Sequence, residues 1–276
     1  MNQKIVKIGK IFYHKFPVLQ SILGFIDRKF IFKPKFSGWG MKTEHEIPWN
    51  NPQDSEIFIK ASKDIKKFKF VRNSICYNEK NIDELLWRHW VVSYAIRHAI
   101  EFTSVEKFNF VECGVAEGCS AFFALKQIKN NKKVNGEFSM HLYDSWDAMK
   151  KNLLVKSEFE NIGRYESLDI DITKSNLSEF NNDVIYHKGY IPESLYKTPI
   201  SPDFIVYLHI DLNSSIATKE VLEFFFPKII KGGLILFDDY GWAGYEDSKK
   251  YIDEFFSKKN GLLMNLPTGQ AIFFVN

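Results

Sequence analysis

Three aspartates, Asp211 and the adjacent pair Asp238 and Asp239, stand at the ends of two apolar runs, residues 204–211 and 234–237. Short apolar runs of this kind read as strands buried on both faces, and neighbouring strands would bring their ends together. Uncompensated carboxylates a few ångström apart repel and raise one another's pKa. No lysine or arginine is adjacent to them in sequence, so a counter-cation is expected. Oxygen-only ligands favour Mg²⁺, with Ca²⁺ or Mn²⁺ as alternatives.

A second stretch carries a different chemistry. After the short strand signal of residues 108–110 comes Val111-Glu112-Cys113-Gly114-Val115-Ala116-Glu117-Gly118-Cys119-Ser120, and residues 121–128 then read as a helix. Strand, glycine turn and helix make a cradle: glycines admit a ligand to the backbone, and the helix start offers free N–H groups. The spacing E-x-G-x-x-x-G-x-S is not the G-x-G-x-x-G of a pyrophosphate binder, and no phosphate-gripping lysine follows. An acid closing the strand, with fewer glycines, suits S-adenosylmethionine, which has an amino-acid moiety and no phosphate. Asp144, about thirty residues on, ends the next strand and is placed to accept both ribose hydroxyls.

These residues need a scaffold. Residues 81–102 read as a helix, from an Asn81/Glu84 start through Leu85, Leu86, Trp90, Val91, Tyr94 and Ala95, with Trp87, Arg88 and His89 as boundary residues. Strands are expected at 138–144, 184–187, 204–211 and 234–237. Helices are expected at 172–180, at 218–231 (closed by Gly232-Gly233) and at 245–256. Residues 262–266 and 270–275 flank Pro267-Thr268-Gly269 as a hairpin. The fold class is therefore α/β: a Rossmann-like class I methyltransferase fold, with a mostly parallel seven-stranded sheet that ends in an antiparallel hairpin. His141, His187 and His209 fall within strands and read as core histidines.

The 276 residues suit one large domain with an extension, and 45% apolar with 26% charged residues is a globular composition. Residues 1–35 carry Lys4, Lys7, Lys10, Lys15, Arg28, Lys29, Lys33 and Lys35 against Asp27, a net +7 that leaves about −4 for the rest of a +3 chain. That balance excludes a general nucleic-acid binder and makes residues 1–35 a helical extension able to rest on an anionic membrane. No apolar run is long enough to span a bilayer. Three cysteines without metal-ligand spacing fit a reduced, cytoplasmic setting, with peripheral contact at the inner face of a membrane. Residues 36–52, rich in Gly, Pro and Trp, read as a long ordered loop that includes His45 and Glu46 and can serve as a lid. The boundary is drawn between residues 1–80, extension and lid, and a methyltransferase domain at 81–276.

The run Leu208-His209-Ile210-Asp211, the helix through Thr218-Lys219-Glu220-Val221-Leu222, and Gly232-Gly233-Leu234-Ile235-Leu236-Phe237-Asp238-Asp239-Tyr240-Gly241 together resemble the macrocin O-methyltransferase family. Its other blocks look like Glu112-Cys113-Gly114-Val115 with Gly118 and Ser120, Asp144-Ser145-Trp146, and Gly189-Tyr190. The match covers roughly residues 80–276, in order. The resemblance implies a metal-dependent sugar O-methyltransferase. Glu112, Gly114, Val115, Gly118, Ser120, Asp144, Ser145 and Gly189 would hold S-adenosylmethionine, and Asp211, Asp238 and Asp239 would hold Mg²⁺. Just after the first ligand the family usually has a second acid and a tyrosine, where this chain has Asn213 and Ser215.

The implied reaction is methyl transfer to a hydroxyl of a sugar or glycosylated metabolite, with Asp211, His45 or His209 as the base. A metal-independent methyltransferase of the same fold and a non-catalytic nucleotide-binding or assembly protein are the alternatives. Expected partners are a small-molecule or saccharide substrate, no nucleic acid, and a membrane surface for residues 1–35, with self-association left open. Because residues 1–30 lie outside the sheet, their deletion is expected to leave S-adenosylmethionine affinity unchanged in calorimetric titration. Loss of binding in a folded deletion variant would move the domain boundary.

Overall fold

The alternation of apolar runs and amphipathic segments resolves into a single large sheet in the computed structural model, which describes residues 36–38, 41–43, 49, 52–71, 82–198 and 200–276. The basic segment 1–35, His45 and Cys76 lie outside these described residues. The chain divides into two compact units, residues 1–48 and 49–276. In the first, β1 (Phe36–Gly38) and β2 (Met41–Thr43) pair antiparallel where the sequence predicts a loop.

The second unit runs α1 (Pro52–Asp64), α2 (Leu86–Phe102), β3 (Phe108–Cys113), α3 (Cys119–Lys129), β4 (Phe138–Asp144), α4 (Ile170–Asn176) and β5 (Val184–Lys188). It continues with α5 (Glu193–Lys197), β6 (Ile205–Ile210), α6 (Ser215–Phe225), β7 (Ile229–Phe237), α7 (Glu246–Phe256), β8 (Gly261–Asn265) and β9 (Ala271–Val275). The sheet has seven strands in the order β5-β4-β3-β6-β7-β9-β8. The first five are mutually parallel, and β9 enters antiparallel to both β7 and β8. This is the class I methyltransferase topology. The central strands β3 and β6 are buried along their whole length, as parallel strands covered on both faces must be. The chain leaves β3 towards β4 on one side and reaches β6 on the other, so a crevice opens above the carboxyl ends of β3 and β6.

Helix α2 packs against β6, β7 and α3. Val221, Leu222 and Phe225 of α6 meet Ile252 and Phe256 of α7 in a core with Leu208, Ile235 and Phe273. Residues 52–71, grouped from sequence with the extension, belong to this unit: Phe58 is buried with its ring 5.0 Å from Phe123 of α3, and Trp49 packs on Phe58, Trp87 and Trp90. Among the described residues, no helix is long and apolar enough to cross a membrane.

Several element boundaries differ from expectation, and the helix expected at 172–180 is α4 (Ile170–Asn176) followed by a 3₁₀ turn (Ser178–Phe180). Helix α2 begins at Leu86, because residues 82–85 form a turn. Helix α6 ends at Phe225, where Pro227 opens a tight 3₁₀ turn (Phe226–Lys228), and β7 starts at Ile229. Gly232 and Gly233 therefore lie inside a strand and do not close a helix. Gly232, at φ +83°, abuts the Phe102 carbonyl, which an added Cβ would approach to 2.1 Å. The glycine is there for the close approach of the α2 end to β7.

His141 of β4 and His187 of β5 share a buried hydrogen bond (Nδ1 to Nε2, 3.0 Å), and the other His187 nitrogen meets the Thr198 hydroxyl at 2.7 Å. Burial pulls both imidazoles down from 6.5 to about 4. A lowered histidine stays neutral in the fold while the unfolded chain takes up protons below pH 6.5, so its contribution is complete above that pH and is lost on acidification towards 4. Melting temperature is expected to fall progressively across this window, and more shallowly in His187→Gln. Parallel acid profiles for the two proteins, measured by calorimetry, would remove the pair as the cause.

Candidate active site

The glycine turn is shaped by backbone that side chains would obstruct. Gly114, at φ +88°, faces the Asp211 carbonyl oxygen so closely that a Cβ would lie 1.7 Å from it. Gly118, at φ +90°, is the N-cap of α3, and a Cβ there would press on Thr173 and Leu177 at 3.1–3.2 Å. Between them Ala116 adopts φ +48°. The turn is pinned from outside by Thr173, whose hydroxyl donates to the Ala116 carbonyl (2.6 Å), and by the Trp146 indole, which donates to Thr173 (2.9 Å).

Asp144 sits beneath this turn. One carboxylate oxygen accepts the amides of Val115 (2.6 Å) and Ala116 (2.9 Å), and the other accepts that of Trp146 (2.7 Å). Burial raises its pKa against the pull of those three amides. The residue expected to take ribose hydroxyls thus also builds the turn, and it lines the cleft. That cleft is lined by Gly114, Val115, Ser120, Asp144, Ser145, Gly189 and Asp211. Its described wall also includes Met149, Lys150, Leu153, Tyr165 and Leu168 of the segment after β4, and Tyr190, whose hydroxyl donates to the Ala148 carbonyl of that segment at 2.7 Å. Glu158 stitches that segment to the start of α6 through the amides of Val155 and Ser215.

Two expected cofactor residues stand outside the described lining of this cleft. Gly118 supports the turn from below. Glu112 is fully buried, accepts the Ser120 hydroxyl at 2.6 Å, and lies 3.6 Å from His209.

The three aspartates do converge: oxygens of Asp211, Asp238 and Asp239 all lie within 4.8 Å of one another. The expectation that they lack a basic neighbour is corrected by Arg88 of α2. Arg88 is 3% exposed, and its Nε reaches both oxygens of Asp238 (2.7 and 2.8 Å) while a terminal nitrogen donates to Asp211. Gln270 in the hairpin adds a bond to Asp238 at 2.8 Å and is itself held by Thr268. Burial pushes Asp238 up, but Arg88 and His209 hold it well below the carboxylate range. Asp211, its side chain 21% exposed, is pushed up to about 6 by loss of solvent and by the facing Asp238. Asp239 is raised further, by burial and by both neighbours, and accepts the Asn213 amide at 3.1 Å.

Asn213 itself, at φ +53°, accepts the Tyr245 hydroxyl at 2.5 Å and lies 3.4 Å from that of Tyr165. Two tyrosines from other elements therefore reach the position where the resemblance led to an acid being expected.

His209 is not a base facing the cleft. It is fully buried below the carboxylates, 3.6 Å from Glu112 and 3.9 Å from Asp238. Burial opposes its charge, yet the two acids carry its pKa up to about 9, so it already holds a proton at neutrality. Of the three expected bases, His45 lies outside the described residues and Asp211 alone lines the cleft. Arg88 was missed although it carried a signal: it falls three residues after Leu85 and four before Val92, on the buried stripe of the helix.

Residues 111–240 match the family model Methyltransf_24, described as a methyltransferase domain. The fold of the chain is that of the O-methyltransferase NovP, with a TM-score of 0.63 at 15% identity over 80% of this chain and 99% of that one. The calicheamicin methyltransferase CalS11 is similar too, with a TM-score of 0.55 at 16% identity over 83% of this chain and 94% of that one. No protein of curated function matches the sequence.

If the glycine turn holds S-adenosylmethionine, Gly114→Val is expected to abolish its binding, because the side chain collides with the Asp211 backbone. Asp144→Ala frees three amides and removes a charged acceptor, a loss of roughly 1.5–3 kcal/mol in binding. Calorimetric affinities unchanged in both variants would refute the cofactor assignment.

Proposed function

We propose that this chain transfers a methyl group from S-adenosylmethionine to a hydroxyl oxygen of a sugar or glycosylated metabolite, as in the macrocin O-methyltransferases that its sequence blocks resemble, with a divalent cation held by Asp211, Asp238 and Asp239. The observation that carries the reading is the meeting of these three carboxylates beside a cleft that runs along the glycine turn. The donor set fits a hard cation. It is all oxygen, and the three carboxylates outnumber the cations that reach them, Arg88 and, 3.9 Å from Asp238, the protonated His209. Burial raises the pKa of Asp211 and Asp239 first, and the neighbouring carboxylates raise both further, which expresses the same deficit.

Bound S-adenosylmethionine supplies an electrophilic methyl group, and a bound divalent cation supplies the charge that lowers the pKa of an alcohol. The protein supplies the rest. Gly114 leaves the backbone open to the cofactor, Asp144 orients it, and the wall from Met149 to Leu168 restricts water. Asp211 is the one of the three expected bases that lines the cleft, where it would accept the hydroxyl proton. A metal-independent transfer on the same fold is the second reading, and Arg88 favours it by already giving the trio a cation.

Methyl transfer to saccharide hydroxyls is expected to fall steeply with EDTA and in Asp238→Asn, with partial recovery of the variant at high Mg²⁺. S-adenosylmethionine affinity should change little in either case. Activity indifferent to EDTA, together with no Mn²⁺ anomalous signal near the three side chains, would leave the metal-independent reading.

A further inference from the structure

We propose that Arg88 is the resident counter-cation of the acid trio: a positioning residue that keeps Asp211 and Asp238 assembled when no metal is bound and tempers their affinity for one. The inference rests on the reading of the three aspartates as a cation site. Three observations carry it. The guanidinium comes from α2, an element that belongs to neither strand whose end bears the acids, so it fixes their relative position from a third direction. Its side chain is 4% exposed, so its charge acts where water screens little. Asp238 is committed to Arg88 and Gln270, whereas Asp211 borders the cleft and Asp239 takes the Asn213 amide.

A division of labour follows. Asp238 is the anchor of the trio, and Asp211 and Asp239 keep lone pairs for an incoming cation. A planar guanidinium suits the task because it stays charged and can bond two carboxylates at once, which an ammonium does with less direction. Without it, the buried acids would be stranded, and the trio would be better formed with a metal than without.

The test uses full-length wild type, Arg88→Met and Arg88→Lys, with thermal unfolding in EDTA and in millimolar Mn²⁺, and Mn²⁺ binding followed by electron paramagnetic resonance. Wild type should gain a little melting temperature in Mn²⁺ over EDTA, since it too binds the ion. Arg88→Met should lose on the order of 10 °C in EDTA, recover roughly 3–5 °C more than wild type does in Mn²⁺, and bind Mn²⁺ about tenfold more tightly. Arg88→Lys keeps the charge and should bind Mn²⁺ nearly as wild type does. If Arg88→Met does not fold, Arg88→Lys decides: tenfold tighter or weaker Mn²⁺ binding with the charge retained overturns the proposal.

An equal loss of melting temperature for Arg88→Met in both conditions, without tighter Mn²⁺ binding, also overturns it. A wild type that binds no Mn²⁺ beside an Arg88→Met protein that does would instead sink the metal-assisted reading and leave the role of Arg88 standing.

Discussion

Where β3 and β6 end side by side, the Gly114 α-carbon rests against the Asp211 carbonyl, with no room for one further carbon atom. The Asp211 amide returns a hydrogen bond to the Cys113 carbonyl at 2.8 Å, so the two strands stay paired to their last residues. The contact joins two chemistries that the chain encodes about a hundred residues apart. It sets the turn that would cradle a methyl donor against the first acid of the trio. A displacement of either strand end moves both, which is why a glycine and not merely a small residue is required there.

Beneath that contact lies a buried polar layer. Glu112 and His209 are register partners on adjacent strands, so their side chains leave the same face of the sheet at the same level. Asp238, Arg88 and Gln270 complete the layer on the far side. Charges in such a place are tolerable only when opposed, and each charged group here has a partner of opposite sign within 4 Å. Low local polarity strengthens these attractions and makes the removal of any one member costly. The layer explains why the strand ends keep a fixed geometry although they are rich in like charge.

Much of this was legible in the sequence, for a physical reason. Buried parallel strands are continuous apolar runs, so 138–144 and the final hairpin could be placed from composition alone, and the acids that interrupt the runs marked the strand ends. Glycines were read less well. Gly114 and Gly232 both serve close backbone approaches, but in sequence Gly232 looks like any helix terminator. The missing part of the site was its charge balance. Counter-ions were sought among chain neighbours, whereas Asp238 finds Arg88 at a separation of 150 residues. Glu112 was read as facing a ligand, and His209 both as a core histidine and as a candidate base, because position along a strand reveals which residues are near its end but not which face the cleft. Arg88 was visible only as an arginine on an apolar stripe.

The bonds to Asp238 also carry a consequence for the order in which the molecule is assembled. Its partners lie 150 residues earlier, in Arg88, and 32 residues later, in Gln270. Contacts of such separation close large loops and form late, after the local helices and turns that cost little chain entropy. A nascent chain can display the glycine turn, and even the strand that ends in Asp238, well before the hairpin exists to complete the acid's surroundings. Until Gln270 has been synthesised and docked, that carboxylate is held from one side only. The geometry of the acid trio is therefore among the last things this fold acquires, and an incompletely translated copy carries its parts without their arrangement.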